Sequence, residues 1–273
     1  MAFAYFTILR PLNSVMAALA VYIASLVAGM PVYPDAAIIY AMLSVFVVSG
    51  AGMVINDYFD VEIDRINRPE RPLPSGKISM SAAKAYATVL FAAGIALGYL
   101  INLQAFAIAL TASLLLVAYA WKLKKMLLVG HVAVSALVAL SFVYGAVVNG
   151  NYFPLFPLAG LAFLANMGRE IYKSVDDVLG DRQHGVTSLA VKYGVNKART
   201  AAAALLLLAI MFSFVPFGLG IFGYVYMLFA IVADMLFLAA IAMTGKSAKL
   251  CKIAMNVALL AFLAGVLASD LDL

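Results

Sequence analysis

Residues 36–64 read AAIIYAMLSVFVVSGAGMVINDYFDVEID. From 36 to 56 there is no Asp, Glu, Lys or Arg, and then four acids follow within eight residues. A helix needs about 20 mostly apolar residues to cross a bilayer, so 36–56 is long enough. The apolar run is continuous, whereas a membrane barrel strand would alternate over about ten residues. This stretch therefore predicts a membrane-crossing helix that ends in a cluster of carboxylates.

The rest of the chain repeats the first half of that pattern. Similar apolar runs cover 13–30, 82–101, 104–121, 126–148, 153–172, 198–215, 219–243 and 250–268, which makes about nine spans. Of the 273 residues, 66% are hydrophobic and 11% charged. A soluble domain has about half and a quarter, respectively, and one of this size could not bury so much apolar surface. A soluble enzyme, a disordered chain and a disulfide-built secreted domain are excluded. Cys251 is the only cysteine, so no disulfide can form within the chain. The run after Arg10 lacks a small-residue cleavage site and reads as the first span rather than a targeting peptide. The expected fold is all-α: one polytopic bundle, residues 1–273, around a cavity open to the cytoplasm and laterally to lipid.

The net charge is +5, but its placement says more than its sum, and it implies no nucleic-acid partner. All 18 Lys and Arg fall on alternate connections. By the bias of such residues toward the cytoplasm, the pattern predicts a multi-pass cell-membrane protein with its N-terminus inside, its C-terminus outside and an odd number of spans. Two cytoplasmic connections, 57–81 and 173–197, are long and charge-dense, and are expected to cap the cavity. Spans two and six both end in acids, which suggests a four-plus-four-plus-one internal repeat.

At about 100° per residue, Asn56, Asp57, Asp60 and Asp64 share one helix face. Asp177 and Asp181 share a face with Lys173, provided Gly180 does not break the helix. Stacked carboxylates repel one another, and at a membrane boundary something positive must offset them. An oxygen-only set suits Mg²⁺, which binds a few carboxylates together with substrate phosphates. A solvated helix end neutralised by Arg65, Arg68 or Arg182 explains one such cluster equally well, but two at one membrane face favour metal. His131 and His184 are too isolated to form a zinc site.

The run NDYFDVEIDRINRPERPLPSG at 56–76, with Asp177 and Asp181 four apart, resembles the paired signatures of the UbiA family of intramembrane prenyltransferases. Within the family, RPLN at 10–13, YAWKLKK at 119–125 and GREIYKSVDDVLGDRQHG at 168–185 resemble an archaeal, ether-lipid-forming branch. The resemblance implies Mg²⁺-dependent transfer of a geranylgeranyl group from its diphosphate to geranylgeranylglyceryl phosphate, a lipid-like acceptor in the bilayer. It implies Asn56, Asp57, Asp60, Asp64, Asp177 and Asp181 as metal ligands, with Asp60, Asp64, Asp177 and Asp181 central to catalysis. Asn13, Arg65, Tyr119, Lys124 and Lys173 are then expected to bind diphosphate or substrate. Prenylation of an aromatic acceptor is the alternative within the family. A secondary transporter is the alternative outside it, although transporter sites lie near the midplane and these acids crowd at one face. Asp234, deep in the eighth span, is read either as a structural hydrogen-bond partner or as a cavity residue. Trp121 is read as an interfacial anchor, Cys251 as packing and His184 as a loop residue.

Overall fold

Polar residues at the helix starts decide where the chain turns. The computed structural model describes residues 2–183 and 185–269, so His184 and the tail 270–273, with Asp272, lie outside the described residues. The helices are α1 (Ala2–Ile8), α2 (Pro11–Val27), α3 (Ala36–Phe59), α4 (Val61–Asn67), α5 (Met80–Ile101), α6 (Leu103–Trp121) and α7 (Val129–Gly145). They continue with α8 (Leu155–Asp176), α9 (Val178–Gln183), α10 (Leu189–Tyr193), α11 (Val195–Phe212), α12 (Val215–Gly218), α13 (Tyr224–Ala242) and α14 (Ser247–Ser269). The side chains of Asp35, Ser79 and Asn102 accept the otherwise unpaired N–H groups of Ile38, Ala82 and Ala105 and so start α3, α5 and α6. Asn102 alone separates α5 from α6, and its amide also donates to the Val147 carbonyl at 2.6 Å.

Every apolar run read from the sequence lies on a helix, but the lengths differ. Six helical runs are long and apolar enough to cross a membrane: Ala36–Phe59, Met80–Ile101, Leu103–Trp121, Val195–Gly218, Tyr224–Ala242 and Ser247–Ser269. Pro11–Val27 and Val129–Gly145 are apolar but shorter. The run expected over 126–148 starts late because a 3₁₀ turn, Leu123–Lys125, and a left-handed Leu128 (φ 59°) come first. Polar side chains tie the short ends together: Asn149 and Asn151 both donate to the Ala28 carbonyl, at 2.5 and 3.1 Å. Freed backbone groups at membrane depth need such partners. α8 carries Arg169, Glu170, Lys173 and Asp176 in its last two turns.

The neighbour relations repeat. α2 packs on α3, α3 on α5 and α5 on α6; then α7 packs on α8, α8 on α11 and α11 on α13, while α14 joins α13 and α8 and touches α2. The parallel stops at α13, which packs mainly on α14 and only lightly on α11. Small residues permit the closest approaches. A Cβ on Gly94 of α5 would sit 2.4 Å from Val48, and one on Gly145 of α7 would sit 2.6 Å from the Val21 carbonyl oxygen. The Ser44 hydroxyl of α3 donates to the Gly94 carbonyl at 2.8 Å and accepts from Tyr144 at 3.1 Å. Large apolar side chains such as Tyr99, Leu103, Met211 and Leu228 face outward, an arrangement stable in lipid and a liability in water.

Candidate functional site

The first acidic stretch folds as one nearly continuous helix. Asp60 sits between α3 and α4 with φ −96° and ψ 2°. The N–H of Asp60 donates to the Asn56 carbonyl at 3.0 Å and that of Asp64 to the Asp60 carbonyl at 2.8 Å. The four polar residues therefore keep the common face that their spacing requires.

Cations cover that face. Arg71 donates to Asp57 at 3.2 Å and to Asp64 at 2.5 Å, and Arg10 donates to Asp57 at 2.5 Å. Asp57 and Asp64 are buried, so each would be costly without these partners. Arg10 has a left-handed backbone (φ 47°), a strain of about 1–3 kcal/mol for a non-glycine residue that its ion pair helps to offset. Lys124, on the 3₁₀ turn, donates to Asp60 at 2.5 Å and to Asn56 at 3.2 Å, and the Asn56 amide donates to Asp60 at 3.0 Å. Burial pulls the Lys124 ammonium below its usual pKa, and Asp60 opposes that shift. The neutralising cations are thus Arg10, Arg71 and Lys124. Arg65 pairs instead with Glu62 at 2.8 Å, and both side chains are exposed.

The second stretch repeats the geometry. Asp177, with φ −93° and ψ 7°, lies between α8 and α9. Its N–H donates to the Lys173 carbonyl at 3.0 Å, and the Asp181 N–H donates to the Asp177 carbonyl at 2.9 Å. Gly180 lies within α9 and does not break it. Asp177 is exposed and Asp181 half-buried. Two turns before Asp177 stands Glu170, buried, with Arg169 at 2.5 Å and Lys173 at 3.5 Å. The sequence reading missed Glu170, although its signal was an acid placed inside an apolar span.

Between the helices lies a cavity of about 470 Å³, within the roughly 300–1,000 Å³ usual for small-molecule sites. Asn13, Asn56, Tyr119 and Lys173 line it, as do Arg10 and Arg169. Asp60 and Lys124 bond to Asn56 but, like Asp57, Asp64, Asp177 and Asp181, are not among the lining residues, and Arg65 stays apart with Glu62. Deeper, the wall is apolar and includes Phe142, Leu161 and Phe262. Phe262 stacks on Tyr226 with ring centroids 5.9 Å apart. Asp234 lines the cavity and accepts from the Ser213 hydroxyl at 2.8 Å, so both readings of this residue hold. Asn166 lines it too and donates to Ser135 at 3.1 Å. A second, apolar chamber of about 170 Å³ adjoins it and shares Ala17, Met53 and Leu116 with it. Trp121 is exposed at the end of α6, and Cys251 is fully buried.

Among the described residues, no three Asp, Glu, His or Cys side chains converge as a metal cage. The donor chemistry nevertheless fits Mg²⁺ shared with a phosphate ligand. The oxygens of Asn56 and Asp60 already converge on one cation, the Lys124 ammonium, and Mg²⁺ takes few protein ligands when phosphates supply the rest.

Comparison with known proteins agrees with this architecture. The profile of the UbiA prenyltransferase family matches residues 15–266. The digeranylgeranylglyceryl phosphate synthase of Methanothermobacter thermautotrophicus is 40% identical over 270 residues, covering 96% of this chain and 95% of that one. A solved structure of a digeranylgeranylglyceryl phosphate synthase is 37% identical, with a TM-score of 0.82 over 97% of this chain and 98% of that one. A UbiA homologue from Archaeoglobus fulgidus, solved with GPP and Mg²⁺, shares the fold at 18% identity, with a TM-score of 0.77 over 96% of this chain and 98% of that one. The two kinked acidic helices, the apolar cavity beneath them and these matches together make the chain a member of the UbiA prenyltransferase family.

Proposed function

We propose that this chain transfers a geranylgeranyl group from geranylgeranyl diphosphate to the free hydroxyl of geranylgeranylglyceryl phosphate, forming the second ether bond of an archaeal-type lipid. One observation carries the reading: Asn56 and Lys173, each one helical turn before a junction carboxylate, Asp60 and Asp177, line the same cavity. The relatives named above, 37–40% identical over nearly full length, support the choice of acceptor. The chain forms one domain, 1–273, that crosses the membrane nine times with its N-terminus in the cytoplasm and its C-terminus outside. Residues 57–81 and 173–197 cap the cavity on the cytoplasmic side, and the cavity opens sideways to lipid for both substrates.

In the transfer, the bond between C1 of the donor and its diphosphate oxygen breaks, and the electron pair leaves with diphosphate. The acceptor hydroxyl oxygen bonds C1, and its proton passes to the released diphosphate. Asn56, Asp60 and Asp64 on one junction and Asp177 and Asp181 on the other would hold Mg²⁺, which supplies Lewis-acid neutralisation of the leaving group when bound. Asp57 acts one step back by fixing Arg10 and Arg71. Lys124 and Lys173 add charge-assisted hydrogen bonds to diphosphate, with Tyr119 and Asn13 as neutral donors. Arg10 takes the part expected of Arg65. The apolar wall excludes water from the allylic cation, and its aromatic faces stabilise positive charge.

A competition assay tests the acceptor. Purified protein with Mg²⁺ and labelled donor receives geranylgeranylglyceryl phosphate, 4-hydroxybenzoate and a naphthoate together. Label in the glycerol phosphate is the expected result. Label only in an aromatic acid overturns the acceptor while keeping the prenyltransferase.

A further inference from the structure

We propose that Arg169 and Lys252 form a second anion site in the cavity wall, separate from the cations paired with the first acidic stretch, and that it holds the phosphate monoester of the acceptor. The proposal rests on the acceptor reading above. Arg169 is on α8 and Lys252 on α14, and both line the cavity. The two helices pack directly, with Cys251 and Ala254 in one buried cluster with Ala165 and Ile171.

These two cations have donors to spare. Arg10, Arg71 and Lys124 are each engaged by carboxylates of the first acidic stretch. Lys252 has no ion pair among the described residues. Arg169 gives one terminal nitrogen to Glu170, but its Nε is buried and has no hydrogen-bond partner among the described residues. A buried donor is rarely left unpaired in a finished site, and arginine cannot relieve the cost by losing its proton. The Arg169 side chain is 24% exposed and lines the cavity, so the open part of its guanidinium can donate to a phosphate there.

Charge and depth match the same ligand. Arg169 and Lys252 against Glu170 leave about one positive charge, which attracts a phosphate monoester carrying about −1.5 to −2 near neutral pH. Lys252 stands five residues after Ser247 and Arg169 seven before Asp176, so at about 1.5 Å per residue both lie about 7–11 Å in from helix ends on the cap side. Further along α14, Leu259 and Phe262 continue the wall. A charged head beside Lys252, with its chain running past Leu259 and Phe262, has the polarity of a lipid phosphate. Asn256, one turn on from Lys252, lines the cavity between them.

The test compares Lys252→Ala with wild type on geranylgeranylglyceryl phosphate and on the same lipid without its phosphate. Lys252 is exposed, so the variant keeps its fold, and Arg169→Lys serves as the second variant. Loss of one charged hydrogen bond should raise KM for the phosphorylated acceptor about tenfold or more. The donor KM should not change, and the two proteins should be equal on the dephosphorylated lipid. Equal impairment on both lipids, or a parallel rise in donor KM, overturns the site. Binding of geranylgeranylglyceryl phosphate by thermal shift separates this idea from the reading beneath it. Lys252-dependent binding without turnover keeps the site and sinks the acceptor assignment; binding indifferent to Lys252 sinks the site.

Discussion

Asp60 and Asp177 occupy equivalent places in the two halves of the molecule. Each stands between a long helix and a short one, with φ,ψ of −96°,2° and −93°,7°, and each N–H donates to the carbonyl four residues earlier. Their helices also have matching neighbours: α3 lies between α2 and α5, and α8 between α7 and α11. The fold thus places a carboxylate at the same backbone position in two similarly packed helix junctions.

If both junctions serve one diphosphate, neither alone suffices. Asp60→Ala and Asp181→Ala should each lower kcat more than about a hundredfold, because Lewis-acid stabilisation is worth several kcal/mol. Gel filtration should still find folded protein. Asp272→Ala, beyond the described residues, should keep wild-type activity. An active Asp60→Ala would remove the first junction from the mechanism.

Metal dependence should follow the same logic. EDTA should abolish turnover, and added Mg²⁺ should restore it. Full activity in the chelator would show that Lys124, Lys173 and Arg10 neutralise the leaving group unaided.

The cations of the first stretch divide into structural and substrate-facing roles. Arg71 bridges two buried carboxylates and is itself 16% exposed, so Arg71→Met strands Asp64 and should cost about 3–5 kcal/mol of stability. Thermal unfolding in detergent measures it. Arg65→Ala should leave the same midpoint unchanged, since an exposed pair contributes little. Lys124→Met should instead raise the donor KM about tenfold or more and leave the KM of the phosphorylated acceptor alone.

The contrast between Arg65 and Arg71 marks how far the sequence could be read. Apolar runs and four-residue acid spacing are local patterns, and the helices and the common face of Asn56, Asp57, Asp60 and Asp64 follow from them directly. Which arginine meets Asp57 is not local: Arg10 lies 47 residues away, and only packing of α1, α2 and α3 brings it there. Arg65, nearer in the chain, turns to Glu62 because i,i+3 places them side by side on the exposed face of α4. Glu170 was hidden for a different reason. An isolated acid in an apolar span has no spacing signature, and Lys173, one of its two partners, reads in the sequence as a substrate-binding cation. The short α2 and α7 were equally illegible, because Asn149 and Asn151 find the Ala28 carbonyl only across the folded chain.

The proposed nine-crossing topology rests on the alternating basic connections. A reporter at Gly150, in the turn between α7 and α8, and one at the C-terminus should both register outside the cell. A cytoplasmic C-terminus would break the nine-crossing arrangement.

The most direct test of the whole account is product identification. Purified wild-type protein in Mg²⁺ receives geranylgeranyl diphosphate and geranylgeranylglyceryl phosphate, and the lipid product is analysed by mass spectrometry. The account predicts an acceptor enlarged by one geranylgeranyl group in ether linkage, with one diphosphate released per product. Diphosphate released without an enlarged lipid, or no reaction by folded protein, would contradict it.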